Sequence, residues 1–138
     1  MLTRPNLAAL PAAVVFWIIG ALWYTALAAP WLDGIGKTAA QLDAETRGGP
    51  LPYLIGFGAI LVMCVTLSWL VSRFEAHTLA AGAKLGALCA LGFCAALLAL
   101  NYGFEKRTVT LWAINAGYAL VGLTIAGAII GAWPQRRH

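Results

Sequence analysis

The sequence predicts an all-α integral membrane protein, a single four-helix bundle comprising residues 1–138. The chain is 62% hydrophobic and only 10% charged, whereas roughly a quarter of the residues of a soluble domain are charged. Uncharged stretches of at least 20 residues lie between Arg4 and Asp33, Arg47 and Arg73, Lys84 and Glu105, and Arg107 and Arg136. A helix of about 20 apolar residues crosses the hydrocarbon of a bilayer, and only helices or closed barrels satisfy their backbone there.

Each of these stretches is continuously apolar rather than alternating, so each is expected to form a helix. The predicted spans are residues 7–29, 52–72, 78–101 and 109–133. The first stretch imitates a secretory signal peptide, because Ala26-Leu27-Ala28 resembles the A-x-A pattern of a cleavage site. It is longer than the apolar region of a signal peptide and contains Trp17 and Trp23, so we expect it to remain as a span.

The connection between the first and second spans, residues 30–51, is the only long one. Residues 33–38 are predicted to be an exit turn. The T-A-A-Q sequence at residues 38–41 matches a capping box, which predicts a short interfacial helix at about residues 39–46. The other two connections are short, so consecutive spans are expected to be antiparallel neighbours.

The charges at the span ends predict the orientation of the protein in the bacterial cytoplasmic (inner) membrane. The side that carries both termini has five Lys and Arg residues, and the opposite side has four. Lys and Arg are enriched on the cytoplasmic side of membrane proteins. We therefore expect cytoplasmic termini and a non-cytoplasmic long loop.

Several patterns that would indicate catalysis or a cofactor are missing. G-I-G-K-T at residues 34–38 resembles the end of a phosphate-binding loop, but the position of the first required glycine holds Trp31. His77 is expected in a loop and His138 is the last residue, so neither is placed to bind haem inside a bundle. We expect no catalytic residue, no metal site and no cofactor, and hence a protein that is not an enzyme.

The charge pattern argues against two further classes. No acidic residue lies within a predicted span, whereas coupled transporters depend on such intramembrane charges. The net charge of +4 comes from basic residues scattered at helix ends, without the basic stripe that nucleic-acid binding needs. We therefore expect membrane lipid, and no nucleic acid, as a partner.

Small residues recur along two of the predicted spans. They are spaced four residues apart at Gly82, Gly86, Ala90 and Cys94, and again at Gly127 and Gly131. Such faces let helices approach closely and pack by dispersion in lipid. They indicate packing within the bundle, or association with a second copy or a larger membrane complex.

Polar and aromatic side chains concentrate at the membrane end that carries the long loop. The members of this cluster are Trp23, Tyr24, Asn101, Tyr102, Glu105, Arg107, Asn115 and Tyr118. One interpretation is an aromatic belt at the interface, with Asn115 bonded to a neighbouring helix. The other is a shallow pocket for a lipid headgroup, a quinone or another small amphiphile.

Two blocks of this sequence resemble a known family. They are GALWYTALAAPW at residues 20–31 and NYGFEKRTVTLWAINAGYALVGLTIAGAIIGAW at residues 101–133. Together with the segment between them, they are similar to the small bacterial membrane family called domain of unknown function 1761. The resemblance covers essentially the whole chain and implies four transmembrane helices without an established activity. The resemblance implies that the eight members of the polar and aromatic cluster correspond to polar and aromatic positions of the family.

These observations favour a structural or accessory membrane module that packs through its small-residue faces. The alternative hypothesis is a binder or carrier of a lipid-like or small amphipathic ligand at the polar and aromatic cluster. A retained small molecule would favour the second role, and a stoichiometric protein partner would favour the first.

Overall fold

The computed structural model describes residues 7–134, and all regular structure within that range is helical. The helices are α1 (Ala9–Ala26), α2 (Ala28–Ile35), α3 (Ala39–Thr46), α4 (Leu51–Arg73), α5 (Leu79–Cys89), a π-helical turn (Ala90–Ala95), α6 (Ala96–Glu105) and α7 (Val109–Ala132). Within this range four helices are long and apolar enough to cross a membrane: α1, α4, Leu79–Glu105 and α7. The predicted all-α fold with four spans is confirmed, and the chain is a multi-pass membrane protein. The basic residues of both termini, on which the predicted orientation depends, lie outside the described residues.

The first span differs from its predicted extent, because the helix breaks at Leu27 and resumes as α2. Pro30 explains the break. Its ring clashes with the carbonyl four residues earlier, that of Ala26, and proline has no N–H to donate to that carbonyl. Ala26 is accordingly the last residue of α1, and Pro30 falls in the first turn of α2, where no N–H is needed. The helix then continues to Ile35, through part of the predicted exit turn.

The helix α2 turns across the beginning of α7 instead of continuing along α1. The Trp23 indole reaches α7 at Ile114, and Gly34, on α2, lies against Leu111. A straight helix from residue 23 to residue 34 would advance about 16 Å, whereas three residues of α7 span only about 4.5 Å. The chain therefore bends between α1 and α2, which brings α2 over the first turn of α7.

The predicted short helix is confirmed as α3. Thr38 Oγ1 accepts a hydrogen bond from the Gln41 N–H at 3.2 Å, and Gln41 Oε1 accepts one from the Thr38 N–H at 2.9 Å. This reciprocal pair is the capping box that the sequence predicts. Lys37 pairs with Glu45 of α3, so its ammonium group belongs to this short helix and not to a phosphate loop.

The last span, α7, is the central helix and packs against α1, α4 and α5. Three of the largest fully buried side chains are Phe16 of α1, Leu67 of α4 and Ile130 of α7. Large apolar side chains such as Val62 and Phe93 are exposed at 66% and 73%. In a membrane protein this surface faces lipid, so its exposure carries no hydrophobic cost.

The helices α5 and α7 pack most closely, through their glycines. A Cβ on Gly82 would overlap the Gly127 carbonyl, and a Cβ on Gly127 would overlap the Gly82 carbonyl. Gly86 likewise lies against the Leu123 carbonyl, and a Cβ on Gly131 would be 3.0 Å from the Gly82 Cα. These small residues therefore pack backbone against backbone inside the chain, where any larger side chain would separate the helices.

The π-helical turn changes which residues of the third span face α7. The buried small residues are Gly82, Gly86, Ala90 and Ala95, at spacings of four, four and five. The sequence predicts Cys94 at the fourth position, but the wider turn places Ala95 there and leaves Cys94 only partly buried. One additional residue rotates everything after it by about 100°. As a result, Tyr102 is partly buried whereas Asn101 is exposed.

Candidate functional site

Three side chains form a hydrogen-bonded chain at the end of the molecule where α1 ends and α7 begins. The Tyr24 hydroxyl donates to Asn115 Oδ1 at 2.8 Å, and Asn115 Nδ2 donates to the Tyr102 hydroxyl at 2.8 Å. Tyr24 lies on α1, Tyr102 on α6 and Asn115 on α7. A single amide therefore connects the first, third and fourth spans through its acceptor and one of its donors.

Two other members of the predicted cluster bond to backbone carbonyls of a neighbouring helix. Trp23 Nε1 donates to the Ile114 carbonyl at 2.9 Å, and the Tyr118 hydroxyl donates to the Phe16 carbonyl at 3.2 Å. Both side chains are partly buried. Each bond joins α1 to α7, so these two side chains hold the helices together and are not free to bind a ligand through these donors.

Aromatic contacts surround this hydrogen-bonded chain. The Tyr24 ring makes edge-to-face contacts with Trp31 at 5.5 Å and with Tyr118 at 5.2 Å between centroids, a geometry that aromatic pairs prefer. Gly20 makes room for this packing, because a Cβ there would be 2.6 Å from the Tyr118 hydroxyl oxygen. The arrangement fixes the position of the Tyr24 hydroxyl relative to Asn115.

A further indole connects the π-helical turn to α7. Trp112 Nε1 donates to the Ala95 carbonyl at 3.0 Å. Ala95 is the last residue of the π-helical turn, and Trp112 lies in the first turns of α7. The bond therefore stabilises the rotated position of α6 that brings Tyr102 to Asn115.

An open cleft of about 450 Å³ lies at the same end of the molecule, between the end of α2 and the α6–α7 connection. Residues 33–36 and 105–108 line it, and we refer to it as the polar cleft. Gly36 and Lys106 both adopt left-handed backbone conformations, with φ of 72° and 58°, and they end α2 and α6. The two helix ends thus face each other across the cleft.

The polar cleft contains two acidic and two basic side chains. Arg107 Nε donates to Glu105 Oε2 at 3.2 Å. Asp33 and Lys106 have opposite charges and line the same cleft, yet no ion pair joins either of them to any residue of the described range 7–134. The cleft therefore holds one internal ion pair and two unpaired charges of opposite sign.

The structure divides the predicted cluster into two groups. Trp23, Tyr24, Tyr102, Asn115 and Tyr118 form interhelical hydrogen bonds, whereas Glu105 and Arg107 line the polar cleft. Asn101 is exposed and lies outside both groups.

Sequence reasoning missed two charged residues of the cleft, Asp33 and Lys106. One signal was available in the sequence: Asp33 lies just before a turn, Lys106 lies in a turn, and both turns are at the same membrane end. Their convergence additionally requires the bend at Pro30, which places α2 over α7.

A second, apolar crevice of about 220 Å³ lies between α4 and the third span. Met63, Cys89, Phe93 and Cys94 are among the residues that line it. All three cysteines of the chain are free thiols. Within residues 7–134, no group of three or more His, Cys, Asp or Glu side chains is arranged to hold a metal ion.

Comparison with known proteins gives one match, to a family model. No curated protein and no solved structure matches the chain. The family model described as "Protein of unknown function (DUF1761)" matches residues 7–131, which is nearly the whole chain and runs from before α1 to the penultimate residue of α7. The chain therefore belongs to the DUF1761 family.

Proposed function

We propose that this protein binds an amphipathic ligand of the membrane, with the polar part of the ligand in the polar cleft. The observation that carries the proposal is the pair of unpaired, opposite charges that α2 and the α6–α7 connection bring to one open cleft. Ligand sites characteristically combine a concave surface with a small number of convergent polar groups. Ligand binding is thus placed ahead of the accessory role, whereas the sequence alone favours an accessory module.

The rigidity of the surrounding helices supports this proposal. Tyr102 lies one turn before Glu105, and Trp31 lies two residues before Asp33, the first cleft residue of α2. The Asn115–Tyr102 bond joins α6 and α7, which carry one wall, and the Tyr24 bond to Asn115 ties α1 to them. The ring contact between Tyr24 and Trp31 connects α2, which carries the other wall, to the same network. A cleft held by such a network keeps its shape without a ligand, which lowers the entropy lost on binding.

The position of the cleft suits a ligand that is anchored in a bilayer. Trp31 and Trp112 lie close to it in the chain, and tryptophan is enriched at the level of the lipid headgroups. We place the protein in the cytoplasmic membrane with cytoplasmic termini, which puts the cleft on the non-cytoplasmic side. The proposed role is binding or transfer of the ligand, without catalysis.

A structural or accessory role is the second candidate function. The helix face that would contact a partner chain differs from the face that the sequence predicts. Gly82, Gly86, Gly127 and Gly131 already pack against one another within the chain. Small residues also occur at Gly92, Ala96, Ala99 and Gly103, and all four are exposed. A Cβ on Gly92 or Gly103 would meet nothing within 4 Å, so this outward face has room for a helix of a second chain.

Native mass spectrometry on protein released from lipid discs separates the two roles. The discs are made from a total lipid extract, and the protein is released with increasing collision energy. We expect a monomer that retains one defined amphiphile after bulk lipid has dissociated. A dimer or a stoichiometric protein complex without a retained small molecule would contradict ligand binding and support the accessory role.

A further inference from the structure

We infer that the polar cleft recognises a zwitterionic phosphate-and-amine group, with the phosphate at Lys106 and Arg107 and the ammonium at Asp33. This inference rests on the proposed function and names the chemical class of its ligand. A phosphatidylethanolamine headgroup carries both charges, and so does soluble phosphoethanolamine.

The phosphate side of the inference depends on the donors that remain free. A guanidinium group has five N–H donors and an ammonium group has three. The described contacts of Arg107 use only its Nε–H, in the pair with Glu105, so its terminal nitrogens stay available. Lys106 has no ion-pair partner within residues 7–134. Adjacent lysine and arginine side chains thus present several unused donors to an anion such as phosphate.

The ammonium side depends on Asp33. Its carboxylate is exposed, lines the cleft and has no ion-pair partner among the described residues. An ionised carboxylate accepts hydrogen bonds and cannot donate them. A primary ammonium group supplies both the opposite charge and several donors, whereas a quaternary ammonium supplies only the charge. We therefore expect a primary amine to bind more tightly than choline.

The separation of the two charges supports a ligand with both signs. Asp33 comes from α2 and Lys106 from the α6–α7 connection, and their charged atoms are more than 4 Å apart because no ion pair joins them. A purely anionic ligand would leave Asp33 as an uncompensated like charge, which is unfavourable. A zwitterion of matching length satisfies Lys106 and Asp33 simultaneously.

The test uses the full-length protein in lipid discs that contain equal amounts of phosphatidylethanolamine, phosphatidylglycerol and phosphatidylcholine with distinguishable chain masses. Native mass spectrometry then gives the identity of the retained lipid. We expect phosphatidylethanolamine to be enriched about threefold or more over each of the other lipids, the size of effect that a solvent-exposed ion pair produces.

Two charge-neutralising variants and their matched controls examine each side of the cleft. Asp33→Asn is expected to abolish the preference for phosphatidylethanolamine over phosphatidylglycerol. Lys106→Gln is expected to reduce retention of all three phospholipids. The controls are Asp43→Asn and Lys84→Gln, which alter exposed charges outside the cleft and should leave the retained lipid unchanged.

The outcomes distinguish the inference from the proposed function. Retention of one lipid without headgroup preference, or a preference that neither cleft variant changes, would overturn the zwitterion assignment and leave amphiphile binding intact. A protein that retains no lipid and also binds no phosphoethanolamine when this compound is added to the discs would overturn both the zwitterion assignment and the proposed function. Displacement of the lipid by soluble phosphoethanolamine would support the assigned chemistry and identify the headgroup alone as sufficient.

Discussion

Asn115 Nδ2 lies 2.8 Å from the hydroxyl oxygen of Tyr102, and this hydrogen bond joins the last span to the end of the third. The same amide accepts a hydrogen bond from Tyr24 of the first span. Both bonds lie between helices of a membrane protein, where an unpaired polar group would be costly. Tyr24, Tyr102 and Asn115, which the sequence includes in a possible ligand pocket, therefore hold the helices together beneath the polar cleft.

Asn115→Leu should destabilise the protein by about 1–2 kcal/mol, because it removes two interhelical hydrogen bonds of about 0.6 kcal/mol each and leaves two tyrosine hydroxyls without their partner. Asn101→Leu is the matched control, since Asn101 is an exposed asparagine at the same end of the molecule. Reversible unfolding in mixed micelles measures both variants. Equal effects of the two substitutions would contradict the interhelical role of Asn115.

Gly82→Ala should destabilise the protein by about 1–3 kcal/mol, the usual cost of overpacking. The added Cβ would overlap the Gly127 carbonyl, which is rigid backbone. Gly58→Ala is the control, because a Cβ on Gly58 meets nothing within 4 Å and alanine favours helix. The control should be neutral or slightly stabilising in thermal unfolding. A Gly82 variant as stable as the control would show that α5 and α7 do not depend on backbone contact.

Deletion of Gly92 should be tolerated, because it converts the π-helical turn to regular α-helix and leaves Ala90 and Ala95 on the face that packs against α7. Deletion of Ala99 instead changes the spacing between Ala95 and Tyr102, which rotates Tyr102 by about 100° away from Asn115. The measurement is the further loss in the free energy of unfolding that Asn115→Leu causes in each deletion variant. We expect a smaller cost in the Ala99 deletion only, and the reverse pattern would contradict the register described above.

Gly34→Leu should reduce retention of the amphiphile several-fold without removing a charge. A Cβ on Gly34 would lie 3.0 Å from the Cβ of Leu111, which is 1% exposed, so a larger side chain must push α2 away from α7. Ala40→Leu, on the exposed surface of α3, is the control and should retain the wild-type amount of lipid. Native mass spectrometry from lipid discs measures both. Unchanged retention in Gly34→Leu would contradict the role of α2 as a wall of the site.

Thr38→Ala should loosen α3 without affecting the four spans. It removes the side-chain acceptor of the capping box, and loss of such a cap costs about 1 kcal/mol. Faster amide hydrogen exchange confined to residues 39–46 is the expected result. Thr110→Ala, an exposed threonine outside any capping position, should leave the exchange unchanged. Faster exchange throughout the spans would instead indicate that α3 supports the whole fold.

Much of the fold could be predicted from local properties of the sequence. Hydropathy alone locates the four spans, because every backbone group in lipid must be satisfied within a helix. The capping box of Thr38 and Gln41 is a local motif, and the structure contains it. The bend at Pro30 was missed although its cause is local, because the apolar pattern continues through it to Leu32.

The polar and aromatic cluster was also visible in the sequence, because antiparallel spans bring residues 23–24, 101–102 and 115–118 to one membrane end. Which of them touch depends on rotation about the helix axes. A π-helical turn at Ala90–Ala95 selects Tyr102 over Asn101. Hydropathy does not reveal that rotation, since every residue from 90 to 95 is apolar or glycine.

The sequence by itself determined that this chain spans the membrane four times and that its polar groups collect at the end carrying the long loop. Only the tertiary structure decided that Asn115 bonds to Tyr24 and Tyr102, and that Asp33 and Lys106 line one cleft without pairing. The physical reason is that burial of apolar residues in lipid is a property of each helix alone. The contacts between helices depend instead on the direction and rotation of one helix relative to another. The bend at Pro30 sets the direction of α2, and the extra residue of the π-helical turn sets the rotation of α6.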